Sequence, residues 1–158
     1  MLWKVKNRMI DLEKIKICQM TLYDLEELKD VLLSDFDDFW NFQIFKDELV
    51  NTNSKYFLLR YDTEIVCLGG IKIILDEANI MNIITKKNKR NNGFAKFLLN
   101  SLIDISKEFK CKTITLEVNE NNTSAISLYK HFNFEEVGKR KKYYKNGDTA
   151  ILMTHKIN

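Results

Sequence analysis

The stretch "TITLEVNENNTSAISLYKHFNFEEVGKRKKYY", residues 113–144, changes its hydrophobic period twice, and reading those changes decides the fold. Its start alternates strictly, with Ile114, Leu116 and Val118 on one face and Thr113, Thr115, Glu117 and Asn119 on the other, which predicts a strand. After an asparagine-rich turn the spacing becomes helical over "TSAISLYKHF", with Ala125, Leu128 and Phe132 as the expected buried face and Tyr129 beside it. A second strand, "NFEEVGKRKKYY", then runs into the turn "KNGD", where Asn146 and Gly147 favour a tight hairpin, and "TAILMTHKI" closes the chain as its partner strand.

Working back toward the N-terminus gives a consistent series. "KIKICQM" alternates as a strand, and Thr21 reads as an N-cap because "TLYDLEELKDVLL" puts Leu22, Leu25, Leu28 and Leu32 on one helical face with acids in its first turn. A second short helix is expected within "FDDFWNFQIFKDELV", ending near Val50, followed by the turn "NTNS". "KYFLLRY", "IVCLGGIKIIL" and "NIMNIIT" read as three antiparallel strands, with Gly69 and Gly70 marking a bulge or bend. A long helix starts near Ala95 and carries Leu98, Leu102, Ile105 and Phe109 at helical spacing. The series predicts one α+β domain, a three-layer arrangement of a mixed, mostly antiparallel sheet of about seven strands flanked by about four helices. The domain is expected to span residues 14–158, with residues 1–13 a loosely held extension through which no clear pattern continues.

Composition narrows the functional classes. With 158 residues and 45% hydrophobic content the chain holds enough apolar material for one core. The 25 Lys and Arg against 22 Asp and Glu leave a formal charge of +3, too small to argue for nucleic acid, and no direct DNA binding is expected. Cys18, Cys67 and Cys111 are scattered and the only histidines are His131 and His155, so neither a disulfide framework nor a metal site is expected. No apolar run approaches membrane length or the core of a signal peptide, which fits a cytoplasmic protein working as a monomer or weak dimer.

The junction "KRNNGFAKFLL", residues 89–99, carries the first chemical signal. Gly93 stands between a finished strand and a starting helix, so its backbone can approach a ligand and the first helical N–H groups lack partners. The helix dipole adds roughly half a positive charge there, and Lys86, Lys87, Lys89 and Arg90 surround it, which suits a phosphate or pyrophosphate. A solvated loop has the same composition. The stretch is not a P-loop, since Ala95-Lys96 stands where Gly-Lys-Ser/Thr would be needed, nor does it hold the dinucleotide-binding glycine pattern.

"RNNGFA" resembles the R/Q-x-x-G-x-G/A coenzyme A pyrophosphate motif of the GCN5-related N-acetyltransferases (GNAT), and the element order resembles that fold over roughly residues 15–155. Within that superfamily, residues 116–144 are similar to the RimI-type ribosomal-protein-alanine N-acetyltransferases, whose L-E-V strand, S/N-N turn, A-I-x-L-Y helix and G-F-x-x-x-G-x-R-x-x-Y-Y strand follow in the same order; "LDEANIMNIIT" is similar to their third and fourth strands. The resemblance implies acetyl transfer from acetyl-CoA to an amine, with a ribosomal protein's N-terminal alanine as the expected acceptor.

Acetyl transfer needs a neutral amine, a polarised carbonyl and a proton for the departing thiolate. Glu117 is the candidate base: with helices on both faces it is expected to be partly desolvated, the other reading being an exposed strand-end carboxylate, and the resemblance assigns it the base role, directly or through water. Tyr129, by itself a core-edge tyrosine, is by resemblance the acid that protonates the thiolate, since a phenol of ordinary acidity, pKa about 10, still holds its proton at neutral pH. Asn122 reads as a turn or cap residue, to which the resemblance adds a contact with pantetheine. The resemblance also implies that backbone groups of Ile83, Ile84 and Thr85 pair with the acetyl and pantetheine amides, while Arg90, Asn91, Asn92, Gly93, Phe94, Ala95 and Lys96 wrap the pyrophosphate.

For the acceptor, Trp40 in "DFDDFWNF" and Tyr143 and Tyr144 in "RKKYYKNGD" fall where the family builds its peptide cleft, with aromatic core and a solvated basic hairpin as the other readings. The subfamily often has Pro-Trp in the first of these loops; this chain has no proline, and Asn41 follows Phe39-Trp40. Two alternatives stay open: the same fold acting on lysine or a small-molecule amine, and a non-catalytic basic adaptor binding RNA or the ribosome through "KKNKR" and "KRKKYYK".

Overall fold

The computed structural model describes residues 2–5, 8–36 and 40–158. Two short strands, β1 (Leu2–Val5) and β2 (Arg8–Asp11), pair antiparallel at the N-terminus. The sequence offers no pattern there, yet Ile10 is buried and joins a core cluster with Leu59, Val66, Cys67, Phe94 and Leu98.

Strand β3 (Ile15–Gln19) leads into helix α1 (Leu22–Leu28). Thr21 caps α1 as its spacing predicts: its hydroxyl accepts from the Asp24 amide at 3.3 Å, and the Asp24 carboxylate accepts from the Thr21 amide at 2.8 Å. Such a reciprocal cap contributes about 1 kcal/mol. The predicted apolar face is only partly realised. Leu25 and Leu28 are buried, but α1 stops there; Leu32 is buried from a separate widened turn, and Leu22, in the first helical position, is exposed. Helix α2 (Phe42–Val50) is capped by Asn41, whose Oδ1 accepts from the Ile44 amide at 3.0 Å. The residue that departs from the subfamily pattern thus starts a helix here.

Strands β4 (Ser54–Tyr61), β5 (Glu64–Ile74) and β6 (Glu77–Thr85) follow, then helix α3 (Phe94–Glu108), strand β7 (Thr113–Asn119), helix α4 (Thr123–His131), and strands β8 (Glu135–Arg140) and β9 (Ala150–Lys156). The sheet order is β3-β4-β5-β6-β7-β9-β8. Only β6 and β7 run parallel among the pairings described, over Glu77–Thr113 to Asn79–Thr115, so the mixed, mostly antiparallel sheet with flanking helices is as the sequence predicts. The chain forms two compact units, residues 1–72 with 82–102, and residues 73–81 with 103–158.

In the first unit the two sheet glycines work as spacers. A Cβ on Gly69 would stand 2.8 Å from the Asn82 carbonyl oxygen and within 3.3 Å of Leu98 and Ile83. Gly70 faces the opposite way, and the Tyr56 ring lies over it, with Cζ 2.5 Å from where a Cβ would be. Trp40, Phe45 and Tyr56 form an aromatic cluster on that second face, centroids 5.1–5.9 Å apart. In the second unit Ile114, Leu116 and Val118 are buried as the alternation predicts, along with Ala150, Ile151 and Met153 of β9. Phe109, predicted on the α3 stripe, lies just past the helix end and is exposed. Among the described residues no helix is long and apolar enough to cross a membrane.

Candidate active site

Glu117 sits on β7 opposite Leu152 of β9, on the face away from Ile114, Leu116 and Val118. The residue as a whole is exposed, but its side chain is partly covered, at 29% exposure, and its Oε1 lies 3.0 Å from Arg140 Nη1 on β8. Tyr143 also donates its hydroxyl to this carboxylate, and that bond, more than burial, holds the Tyr143 phenol above its usual pKa. The Arg140 guanidinium stands 5.8 Å from the centroid of the Tyr143 ring, close enough for a cation–π contact. Tyr144 meets Tyr143 edge-on at 5.2 Å; burial first, then the Glu117 charge, raises its pKa as well.

The loop bearing both tyrosines is fixed by its backbone. Tyr143 and Tyr144 amides both donate to the Asp148 carbonyl, at 3.0 and 3.2 Å, and Gly147 turns back to the Tyr144 carbonyl at a φ of 88°. Asp148 accepts from the Asn119 and Asn146 amides, both at 2.8 Å, and these bonds hold its carboxyl below the usual range. The predicted strand through Tyr144 ends at Arg140, because these turn contacts replace the ladder.

On α4, Asn122 is the N-cap, its Oδ1 accepting from the Ala125 amide at 3.1 Å. Tyr129 corrects the predicted face: it is the buried residue of this helix, its ring 5.6 Å from that of Phe134, while Ala125, Leu128 and Phe132 are half-buried.

The first unit holds the glycine junction. Ile84 is buried, Ile83 packs on the core cluster, and the Thr85 carbonyl accepts from Arg90 Nε at 3.2 Å. Asn91 and Gly93 both take positive φ, 62° and 83°, so the chain winds tightly into α3. Between them Asn92 is buried and its amide ties the Lys89 and Arg90 carbonyls, at 2.8 and 3.2 Å. Phe94 packs into the core against Tyr61, Ala95 is half-buried, and Lys96 is exposed.

The basic cluster is less available than its spelling suggests. Glu64 binds Lys86 at 2.9 Å and Lys89 at 3.0 Å, and Arg90 Nη2 donates to the Phe36 carbonyl at 3.0 Å. Backbone amides and the exposed Lys87 and Lys96 are therefore what this turn offers an anion.

Trp40 stacks within the aromatic cluster, and Asp37, Asp38 and Phe39 of the predicted acceptor stretch lie outside the described residues. Sequence reasoning missed two polar groups. Arg140 was visible within G-x-R-x-x-Y-Y but had no role; Asn82 was visible as a polar residue on a strand position shared with Ala78, Ile80 and Ile84. Among the described residues no group of three or more His, Cys, Asp or Glu is placed to hold a metal ion.

The acetyltransferase (GNAT) family model matches residues 21–134. A Haemophilus influenzae protein named [ribosomal protein bS18]-alanine N-acetyltransferase is 34% identical over 136 residues, covering 84% of this chain and 86% of its own. A Bacillus subtilis protein provisionally given the same name is 32% identical over 147 residues, covering 92% and 97%. The crystal structure of the ribosomal-protein-S18-alanine N-acetyltransferase from Escherichia coli superposes with a TM-score of 0.82 at 26% identity, over 91% of this chain and 94% of that one.

Proposed function

The chain belongs to the acetyltransferase (GNAT) family, and from that premise we propose that it moves the acetyl group of acetyl-CoA onto the α-amine of an N-terminal alanine on a small-subunit ribosomal protein, in the cytoplasm. The observation that carries the acceptor is that relatives 32% and 34% identical over most of this chain are named for that reaction. Chemistry supports it: an α-amine has a reference pKa of about 7.7–8.0 against about 10.4 for lysine, so a modest base suffices.

In this reading acetyl-CoA supplies the activated thioester. Backbone amides of Asn91, Asn92, Gly93, Phe94, Ala95 and Lys96 hold its pyrophosphate, and backbone groups of Ile83, Ile84 and Thr85 hold its amides. Asn122 commits Oδ1 to its cap, which leaves Nδ2 as a donor for pantetheine. Glu117 takes the amine proton through water, its partly covered carboxylate being oriented by Arg140 and Tyr143. Tyr129 returns a proton to the thiolate, and Trp40, Tyr143 and Tyr144 line the acceptor's path.

The test compares acetylation of alanine-starting peptides, internal-lysine peptides and small amines, in wild type and in Glu117→Gln and Tyr129→Phe. Both variants are expected to slow turnover 10²-fold or so while binding acetyl-CoA as wild type does. A rate confined to lysine or small amines would sink the acceptor; unchanged rates in both variants would sink the roles. The adaptor reading instead requires binding to RNA that weakens steeply with salt and no thermal shift from acetyl-CoA. The pairing of Lys86 and Lys89 with Glu64 counts against it.

A further inference from the structure

We propose that the carboxamide of Asn82 and the hydroxyl of Tyr56 form a subsite for the acceptor's first peptide group, so that the enzyme reads the amide next to the reacting amine and not the amine alone. This rests on the acceptor reading above.

Three polar atoms in the first unit, Nδ2 and Oδ1 of Asn82 and Oη of Tyr56, are shut from solvent without a hydrogen-bond partner. Each such group typically costs about 1–3 kcal/mol, so a leucine and a phenylalanine filling the same space would serve stability better. The three also lie on one face. Ile83 packs with Phe94 and Leu98, so Asn82, the preceding strand residue, points to the other face. Gly69 likewise faces Leu98 and Ile83, so its neighbour Gly70 faces away, and the Tyr56 ring that covers Gly70 is on the same side as Asn82. Trp40 and Phe45 pack against that ring.

The chemistry of the set selects its ligand class. A carboxamide presents N–H and C=O in one plane, the complement of a peptide group's C=O and N–H, and the phenol adds one more donor or acceptor. The aromatic wall suits a small apolar side chain. A plain amine offers nothing to the carboxamide and would leave it unpaired, which is how a site built for an amide rejects a ligand lacking one.

The full chain with acetyl-CoA is assayed on an alanine-starting hexapeptide and on sec-butylamine, in wild type, Asn82→Leu and Tyr56→Phe. The expected result is a KM for the peptide raised about tenfold in each variant, kcat within about twofold, kcat/KM for sec-butylamine unchanged, and no fall in melting temperature. Tyr56→Phe keeps the ring over Gly70 and decides the matter should Asn82→Leu unfold. An unchanged peptide KM, or equal losses on both acceptors, overturns the proposal. Failure of wild type to acetylate the peptide overturns the acceptor reading and this subsite with it, whereas normal wild-type activity with indifferent variants overturns the subsite alone.

Discussion

Arg140 places Nη1 3.0 Å from Oε1 of Glu117 across strand β9, because Glu117 pairs with Leu152 and Arg140 with Ala150, two residues apart on one face of that strand. Tyr143 completes the set by donating to the same carboxylate. The Glu117 hydrogen bond is the main cause of the raised Tyr143 pKa, and the Arg140 charge opposes it. Ultraviolet titration, with Tyr143→Phe as the subtraction, should therefore show Tyr143 ionising at lower pH in Glu117→Gln and at higher pH in Arg140→Gln. No movement in Glu117→Gln would mean that the bond does not set the phenol's acidity. Since the Arg140 side chain is 56% exposed, Arg140→Gln should change stability by less than about 1 kcal/mol.

The glycines of β5 and β8 should respond differently to a methyl group. Gly69→Ala drives Cβ to 2.8 Å from the Asn82 carbonyl, a backbone atom that cannot swing aside, and should destabilise by about 1–3 kcal/mol. Gly138→Ala meets nothing within 4 Å and should lie within about 0.5 kcal/mol of wild type. Urea midpoints at constant slope measure both. Equal changes at the two sites would show that the Asn82 carbonyl does not decide the cost.

These cases also mark what the sequence could disclose. Thr21 and Asp24 sit three residues apart and make their cap locally, so the start of α1 was legible; so was the β7 face, because Ile114, Leu116 and Val118 report burial by alternation alone. Partnerships set by the fold were not. Arg60 reaches Asp24 at 3.1 Å and Glu27 at 2.7 Å from strand β4, more than 30 residues along the chain, and Glu64 gathers Lys86 and Lys89 from more than 20 residues away. Likewise the neighbours of Glu117, Arg140 and Tyr143, were not legible, because periodicity tells which residues share a face and not what covers it. Asn82 carried no signal of its own within its strand, and its unpaired amide gives it meaning.

Glu64 should make part of the stability acid-sensitive. Hydrogen bonds from Lys86 first, then Lys89, hold its carboxyl below the ordinary value of 4.5. A lowered folded pKa means the contribution is complete above the unfolded value and is lost as pH falls through the folded one. Glu64→Gln should thus lower stability at pH 7 by at most about 1 kcal/mol, because the 39% exposed carboxylate is screened, and the gap to wild type should close as acid takes the pH below that lowered folded value. A gap of the same size at both pH values would assign the loss to packing.

Gly93 separates the anion cradle from a solvated turn. At a φ of 83° it adopts a conformation that an alanine enters only at a cost of about 1–2 kcal/mol, and it stands directly before α3, where the helical amides begin. Asn91, at 62°, is already the residue type that tolerates this region, so Asn91→Gly should leave the turn intact and serves as the control. If the amides hold the pyrophosphate, Gly93→Ala should raise the Kd for coenzyme A about tenfold, the equivalent of roughly 1.4 kcal/mol, while kcat at saturating acetyl-CoA stays near wild type. Asn92→Ala, which releases the Lys89 and Arg90 carbonyls, should weaken coenzyme binding in the same way. A Gly93→Ala protein that melts earlier yet binds coenzyme A unchanged would return the turn to its plain structural role, and the hold on the pyrophosphate would then have to come from the exposed Lys87 and Lys96, a distinction that the salt dependence of binding makes visible.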